Sequence, residues 1–573
     1  MSNQRMALAV AGLWLVSCGG SFPGAARTSG DGPSVTRQGQ DAPQALSPAT
    51  AEELKGIVAS GKLADLRWPN FSDRREAVEA FYDGAEDRLG WIRAGEPTPQ
   101  ALELVGLLET AEQKGLNAED YDGPRWSARV QSLGSAGNEA TLMRFDVALT
   151  VSAIRYVTDL HLGKVSPATL HKDFDPERKK HNAGIFLREN VTQAASVKDA
   201  LARIEPPFPG YQRALIALGE YTKLAKEEAP DPLPQVPKPV DPGKTYEAAG
   251  KLARRLQFLG DSPATLDVPS DSQSFSGELV VAVKRFQTRH GLEAAGKLGP
   301  QTITELNTPM SRRVEQLRLT LERWRWVPHE FPEPPVVVNI PEFVLRAYEQ
   351  PGTPALMMPV VVGRAMRTQT PVMEQDMKYV VFWPYWNVPP SILRNELVPK
   401  IAKDPNYLAK NEYEVVTYGG QLVTEGTVSE EVLAQLRAGK LMVRQKPGPK
   451  NALGLIKFIF PNSNNVYLHS TPSQAAFSQS RRDFSHGCIR VEDPKALAVW
   501  VLRNNPGWTR ERVEEAFKAQ KEQQVNLPRT IPVLIVYGTA VAKEGGETYF
   551  FDDIYGFDKE LARLTAAAYA SKN

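Results

Sequence analysis

Prolines are concentrated in one short segment near the middle of the chain, and this segment constrains the fold more than any other feature. Proline fixes its φ angle and cannot donate a backbone hydrogen bond, so such a segment is extended and semi-rigid and does not belong inside a compact domain. A chain of 573 residues is also too long for one hydrophobic core. We therefore expect a boundary between folded units at Pro230, Pro232, Pro234, Pro237, Pro239 and Pro242.

Helical signals dominate the chain before this boundary. Thr98 and Pro99 suit the N-cap and first turn of a helix whose apolar stripe is closed by Gly115. A second apolar stripe predicts a helix from about Thr141 to Leu162. These patterns predict an all-α scaffold in which the aromatic residues form the core and no catalytic group stands out.

Two further units follow the prolines. Three short helices, the last opening at Gly299-Pro300, predict a small three-helix module, and an amphipathic helix after it is expected to pack back onto the scaffold. From Val336 onward, β-branched and apolar runs separated by Pro, Gly and Asn predict a mainly-β domain. Charged helical segments between Ile392 and Pro449 interrupt these runs, and an insertion of this size beside a strand is suited to act as a lid.

Composition excludes some classes of function. The 68 basic and 67 acidic side chains give a net charge of +1, and no basic cluster is interleaved with aromatic residues, so nothing favours nucleic-acid binding. The two cysteines do not form a disulfide framework. We expect neither a metal ion nor an organic cofactor.

The N-terminus is typical of an exported chain. An apolar run from Met6 to Val16 follows Arg5, is too short to span a bilayer and ends close to Cys18. This pattern resembles a bacterial lipobox, which implies cleavage before Cys18, lipidation of that residue and sorting to the outer membrane. The alternative is ordinary cleavage near Gly24-Ala25-Ala26, which would release a soluble periplasmic protein.

Cys488 carries the clearest chemistry in the sequence. A lone thiol with histidines nearby is a candidate nucleophile, and His469 lies upstream in a segment whose alternation, read as a strand, places Tyr467 and His469 on one face. Cys488 is expected on a turn or short strand shortly before a helix. Gly487 permits close approach of the backbone to a substrate, and we expect the amides of Gly487 and Cys488 to stabilise a developing oxyanion.

Two other interpretations of Cys488 remain open at this point. It can be a buried structural thiol that lies near histidines by chance. It can also bind zinc together with His469 and His486, although neither a fourth ligand nor a tight pair spacing is present.

Two motifs, His469-Ser470-Thr471-Pro472 and Ser485-His486-Gly487-Cys488-Ile489-Arg490, resemble in order and spacing the signature of the L,D-transpeptidases, bacterial enzymes that cross-link peptidoglycan. The resemblance implies that Cys488 is the nucleophile and His469 the general base. It also implies that the carbonyl or side chain of Ser470 orients the imidazole, while His486 and Gly487 support the site.

Other parts of the chain resemble the large members of this family. The scaffold is similar to their helical N-terminal domain, the module to a small peptidoglycan-binding module, and the stretch around Trp386 to a strand that borders their cleft. Arg490 either binds a substrate carboxylate or pairs with one of the two acidic residues that follow it. We expect substrate contacts from Tyr467, Arg490, Ser485, Trp386 and Asn387.

These features together predict an L,D-transpeptidase in which Cys488 attacks a donor tetrapeptide stem, releases D-Ala and forms a thioester that an amine of a neighbouring stem resolves. The expected partners are peptidoglycan stem peptides and glycan, a membrane reached through the lipid anchor, and other cell-wall synthesis proteins. The expected location is the periplasm of a Gram-negative-type bacterium, on the outer membrane. A cysteine carboxypeptidase or endopeptidase that trims stems, and a non-catalytic wall-binding lipoprotein, are the alternatives.

The expected fold is therefore multi-domain, with an all-α scaffold, a small three-helix peptidoglycan-binding module and a mainly-β catalytic domain that carries a helical lid insertion. In chain order the segments are a signal peptide (1–17), a disordered tether (18–48), the scaffold (49–227), a proline-rich linker (228–245), the module (246–308), a connecting helix (309–334), the β domain (335–541) with the lid at about 392–449, and a C-terminal tail (542–573).

Overall fold

A computed structural model describes residues 43–84, 88–136, 138–174, 181–350, 352–366 and 368–570. The predicted signal peptide, Cys18 and the tether up to residue 42 lie outside these ranges. The tether prediction is wrong at its C-terminal end, because Pro43–Ala45 forms a strand and Ser47 caps the first helix by accepting a hydrogen bond from the Thr50 N–H. In the described ranges, no helix combines the length and the apolar character that crossing a bilayer requires.

The scaffold is helical, as predicted, and its core surrounds one long helix. Helix α5 begins after the Asn138 N-cap and is buried along most of its length. A small three-stranded sheet that the sequence analysis missed is held to α5 where the Trp91 N–H donates to Asp146 at 2.7 Å. The elements are β1 (Pro43–Ala45), α1 (Pro48–Ser60), α2 (Arg75–Tyr82), β2 (Arg88–Arg93), β3 (Glu96–Pro97), α3 (Pro99–Glu109), α4 (Trp126–Ala136), α5 (Glu139–Leu162), α6 (Pro167–Leu170), α7 (Ala183–Phe186), α8 (Val197–Ala202) and α9 (Pro209–Glu227).

The proline-rich segment is extended, but it is not a free spacer. Leu233 and Val236 are buried in the core of the module, and the Leu233 N–H donates to Asn307 at 2.8 Å. The segment thus belongs to the module that follows it. The module consists of β4 (Lys244–Thr245), α10 (Ala249–Phe258), β5 (Ser274–Phe275), α11 (Glu278–Arg289) and α12 (Pro300–Leu306), and the connecting helix α13 (Met310–Trp326) then packs against α9.

The β domain is built on one nine-stranded sheet that closes on itself. Its order is β16-β8-β17-β15-β14-β9-β18-β6-β7, and the long strand β8 also pairs with β7, which joins the two ends. Apolar side chains at alternating positions fill the interior. The strands and helices are β6 (Val336–Asn339), β7 (Val344–Gln350), β8 (Thr353–Gly363), β9 (Met373–Phe382), β14 (Ile456–Ile459), β15 (Leu468–His469), β16 (Asp483–Ser485), β17 (Ile489–Val491), α18 (Pro494–Val501), α19 (Arg510–Lys518) and β18 (Gln523–Val536).

The lid insertion is a subdomain with its own core and differs from the predicted helical insertion. It contains a four-stranded sheet of order β10-β13-β11-β12 in addition to helices, and it begins earlier than expected, at Trp386. Its elements are β10 (Trp386–Asn387), α14 (Pro390–Ile392), a π-helical turn (Leu393–Leu397), α15 (Val398–Lys403), α16 (Tyr407–Lys410), β11 (Tyr413–Val416), β12 (Leu422–Thr424), α17 (Glu430–Arg437) and β13 (Met442–Gln445).

The C-terminal tail runs back over the other units. A hairpin of β19 (Ala540–Ala542) and β20 (Thr548–Phe550) packs against α9 and α13, and helix α20 (Phe557–Ala567) follows it. The tail is therefore part of the fold and not a loose extension.

Candidate active site

Three neighbouring strands carry the candidate residues on one face of the sheet. Strand β15 pairs with β14, so Lys457 lies directly opposite His469, and with β17, so His469 lies beside Arg490. Side chains that pair across strands share a face. Arg490, His469 and Lys457 therefore form a row across the sheet, which we call the cation row.

Cys488 and Tyr467 form a second row, next to the cation row. The Ile489 N–H donates to the Tyr467 carbonyl at 3.1 Å, which fixes the two strands in register. The Tyr467 hydroxyl is hydrogen-bonded to Cys488, and the Tyr467 ring lies 5.8 Å from the His469 ring, centroid to centroid. The predicted shared face of Tyr467 and His469 is confirmed.

His469 is buried and held in one tautomer. Its Nδ1 lies 2.5 Å from the Ser470 carbonyl, so we assign the proton to Nδ1, which leaves Nε2 as the acceptor. Burial, and then the positive charge of Arg490, lower the pKa of His469 to about 3. Of the two expected orienting groups of Ser470, the carbonyl makes the contact. Gly454 is required beside it, because a Cβ there would lie 2.4 Å from the Ser470 Oγ.

Cys488 lies in the bend that precedes β17 and is partly exposed. Its Sγ donates to the Asn465 carbonyl at 3.6 Å. Burial raises the pKa of the Cys488 thiol, while the hydrogen bonds from Tyr467 and the charge of Arg490 act in the opposite direction. The thiol and the imidazole are both neutral at rest, which suits general-base catalysis better than a preformed ion pair.

The bend around Cys488 is fixed by Ser485. Its hydroxyl donates to the Cys488 carbonyl at 2.6 Å and accepts from the Gly487 N–H at 3.1 Å. Gly487 has φ +113°, a conformation that side-chain-bearing residues rarely adopt. The Gly487 N–H is thus engaged by Ser485, whereas the Cys488 N–H has no acceptor in the described part of the chain. The oxyanion role expected for the two amides stays a prediction, and the Cys488 N–H is the amide that is open for it. Ser485 is buried and holds the bend, and its expected substrate contact stays a prediction.

Two residues that the sequence analysis missed support this bend from behind. Thr370 Oγ1 donates to the Gly487 carbonyl at 2.8 Å, and the Thr370 N–H donates to the Tyr555 hydroxyl at 3.2 Å. Tyr555 also donates to the Gly363 carbonyl at 2.6 Å. The C-terminal tail thus reaches the bend at residues 485–488, which we call the nucleophile loop because it carries the candidate nucleophile Cys488. No local pattern in the sequence indicates this contact.

Arg490 makes no ion pair with the described residues, so the expected pairing with Glu492 or Asp493 is wrong. Asp493 instead caps α18, where its Oδ1 accepts from the Ala496 N–H at 2.9 Å. The Arg490 Nε is buried without a hydrogen-bond partner in the described ranges. Burial and the nearby charge of Arg364 lower the pKa of Arg490.

His486 connects the nucleophile loop to the lid. Its Nε2 lies 2.6 Å from a Glu396 carboxylate oxygen on the π-helical turn of the lid.

The predicted substrate contacts Trp386 and Asn387 belong to the lid sheet. The ring centroids of Trp386 and Tyr413 are 6.3 Å apart, and Asn387 is exposed. The described residues include no group of three or more His, Cys, Asp or Glu side chains placed to hold a metal ion.

A cavity of about 730 Å³ opens between the lid and the β domain. The loop that carries Ser470 forms one wall, Leu455 and Lys495 contribute from neighbouring elements, and Lys446 from the lid forms another wall. Leu455 precedes Lys457 by two residues. The cavity therefore lies beyond the cation row, on the side away from Cys488, and none of Lys457, His469 and Arg490 lines it.

Three separate parts of the chain match models of known protein families. Residues 334–523 match the family model of the L,D-transpeptidase catalytic domain, residues 76–218 match that of a scaffold domain, and residues 245–306 match that of a "Putative peptidoglycan binding domain". The last two matches fall on the scaffold and on the module.

Individual proteins are similar over part of the chain. A curated protein of Haemophilus influenzae, described as a "Putative L,D-transpeptidase", is 33% identical over 251 residues, which is 44% of this chain and 50% of that protein. The chain thus spans about half the length of this curated relative.

Two solved L,D-transpeptidase structures also match. The one from Xylanimonas cellulosilytica is 15% identical, covers 53% of this chain and 100% of its own, and has a TM-score of 0.17. The one from Stackebrandtia nassauensis is 14% identical, covers 52% and 94%, and has a TM-score of 0.20. By the family matches, the chain is a multi-domain protein with an L,D-transpeptidase catalytic domain, a scaffold domain and a peptidoglycan-binding domain.

Proposed function

We propose that this protein is an L,D-transpeptidase that remodels peptidoglycan. The observation that carries the proposal is the position of Cys488 beside Tyr467 and diagonal to a neutral, oriented His469, within residues that match the catalytic domain of that family. Peptidoglycan as the substrate also agrees with the match of the module to a peptidoglycan-binding domain.

The proposed reaction has two acyl transfers. The Cys488 sulfur attacks the carbonyl between the diamino acid and the terminal D-Ala of a donor stem, while the thiol proton passes to His469 Nε2. The carbon–nitrogen bond then breaks, the departing amine takes this proton, and a thioester remains. An amine of a second stem attacks the thioester, and its proton returns through His469 to the sulfur. The Cys488 N–H stabilises the oxyanion in both steps.

The lid and the anchor complete the proposal. A lid closed over the thioester favours an amine over water as the acceptor, which separates a transpeptidase from a hydrolase.

We place the protein at the cell wall in the periplasm, held to the outer membrane by a lipid on Cys18. We also propose other cell-wall synthesis proteins as partners.

The test is mass spectrometry of the full chain incubated with disaccharide tetrapeptides, in parallel with Cys488→Ala. We expect linked stems that lack one D-Ala, and a thioester adduct on Cys488, only with the wild-type chain. A carbapenem should block both by acylating Cys488. Formation of tripeptide stems alone would identify a carboxypeptidase, and absence of any product or adduct would favour a non-catalytic wall-binding protein.

A further inference from the structure

Lys457 is a cation in an otherwise apolar strand. Ile456 and Phe458 on either side of it are fully buried in the core, so Lys457 points to the opposite face, the one that carries His469. It is partly buried, and no described carboxylate lies within 4 Å of its amine. Burial lowers the pKa of Lys457, against a weaker opposing influence of Glu522.

The cation row therefore places one positive side chain on each side of the general base. Neither Lys457 nor Arg490 makes an ion pair with an acidic residue within the described ranges, Glu522 acts on Lys457 only from a distance, and Arg364 adds a third positive charge near Arg490. A partly buried cation without a counter-charge is costly. The arrangement becomes favourable when a ligand supplies an anion beside His469.

The reaction itself fixes where such an anion lies. A base that exchanges a proton with the departing amine must come within hydrogen-bond reach of its nitrogen. In an amino acid leaving group the carboxylate carbon is two bonds from this nitrogen, about 2.5 Å away. Directly opposed residues have Cβ atoms about 5 Å apart. A long side chain on either neighbour of His469 therefore reaches the carboxylate.

We propose that Lys457 and Arg490 bind the carboxylate of the amino acid that leaves the donor stem and so select stems that end in a free carboxylate. This inference rests on the proposed function and names the specificity-determining group of the same site.

The test compares two donors on the full chain, a disaccharide tetrapeptide ending in D-Ala and the same compound ending in D-alaninamide. The measured quantities are kcat and KM for thioester formation at Cys488, by mass spectrometry. We expect wild type to prefer the acid by roughly 10- to 100-fold in kcat/KM, since a charge-assisted hydrogen bond is lost with the amide. Lys457→Met should lose most of this preference by slowing the acid alone, and Lys457→Arg should retain much of it.

Lys378→Met is the matched control, because Lys378 lies exposed on the adjacent strand β9. It should leave both donors unchanged. Equal slowing of both donors by Lys457→Met, or an unchanged preference, would overturn the inference and leave Lys457 a structural residue. If wild type acylates with neither donor, the proposed function fails instead, so the two failures are distinguishable.

Discussion

At the scale of single residues, the surroundings of Cys488 and His469 keep both in their neutral forms. Burial raises the pKa of the thiol and lowers the pKa of the imidazole to about 3, so the thiolate–imidazolium pair is not the resting state. In the proposed mechanism, the proton therefore leaves the sulfur at neutral pH as the substrate is attacked. This behaviour differs from cysteine sites in which a neighbouring charge lowers the thiol pKa.

The reactivity of Cys488 toward iodoacetamide should therefore rise with pH, with a midpoint above that of an ordinary cysteine, because a raised thiol pKa leaves little thiolate at neutral pH. Tyr467→Phe should move the midpoint higher still, since the hydrogen bond from Tyr467 favours the thiolate. The measurement is mass spectrometry of the Cys488 peptide over a pH series. A plateau of reactivity between about pH 5 and 7 would instead indicate an ion pair.

At the scale of elements, the lid has its own core and reaches the nucleophile loop through a polar contact between Glu396 and His486. Glu396 lies on the π-helical turn, and His486 precedes Cys488 by two residues. An exposed contact of this kind contributes about 0.2–1 kcal/mol. That is enough to bias the lid toward closure but small enough to permit opening for substrate entry.

Glu396→Ala should therefore loosen the lid without unfolding it. We expect amide hydrogen exchange across α14 and α15 to accelerate by about 1.5- to 5-fold, matching the contact energy. The ratio of hydrolysed to cross-linked product should rise, because water reaches the thioester more often.

Glu430→Ala serves as the control for this variant, because Glu430 lies exposed in the first turn of α17, elsewhere on the lid. If the two variants exchange at the same rate, the His486 contact does not hold the lid.

At the scale of the whole molecule, the C-terminal tail fixes the other units to one another. Arg289 of the module pairs with Asp261 at 2.6 Å and donates to the Thr548 carbonyl at 2.7 Å. Asp558 at the start of α20 pairs with Arg323 of α13 at 2.5 Å, with both side chains buried. The module is consequently held in a defined orientation relative to the β domain.

Arg323→Met should destabilise the folded protein by about 3–5 kcal/mol, because it leaves the Asp558 carboxylate buried without its cation. Urea unfolding followed by circular dichroism measures the loss. Arg312→Met removes a partly exposed side chain from the same helix and should change stability by no more than about 0.5 kcal/mol. Equal effects of the two variants would show that the buried pair does not hold the tail.

The sequence by itself determined the features that depend on near neighbours. Helix starts follow from local capping, as where the Ala101 N–H donates to Thr98 Oγ1 at 3.1 Å. The extended proline segment follows from fixed φ angles. The alternation that places Tyr467 beside His469, and the motif around Cys488, are likewise local.

Only the tertiary structure decided which distant residues meet. Lys457 joins His469 through strand register, and Tyr555 reaches the nucleophile loop from far along the chain. The lid sheet and the packing of the proline segment onto the module also depend on distant partners. The reason is physical: capping and φ restriction act over a few residues, whereas register and burial are set by contacts whose partners no local pattern identifies.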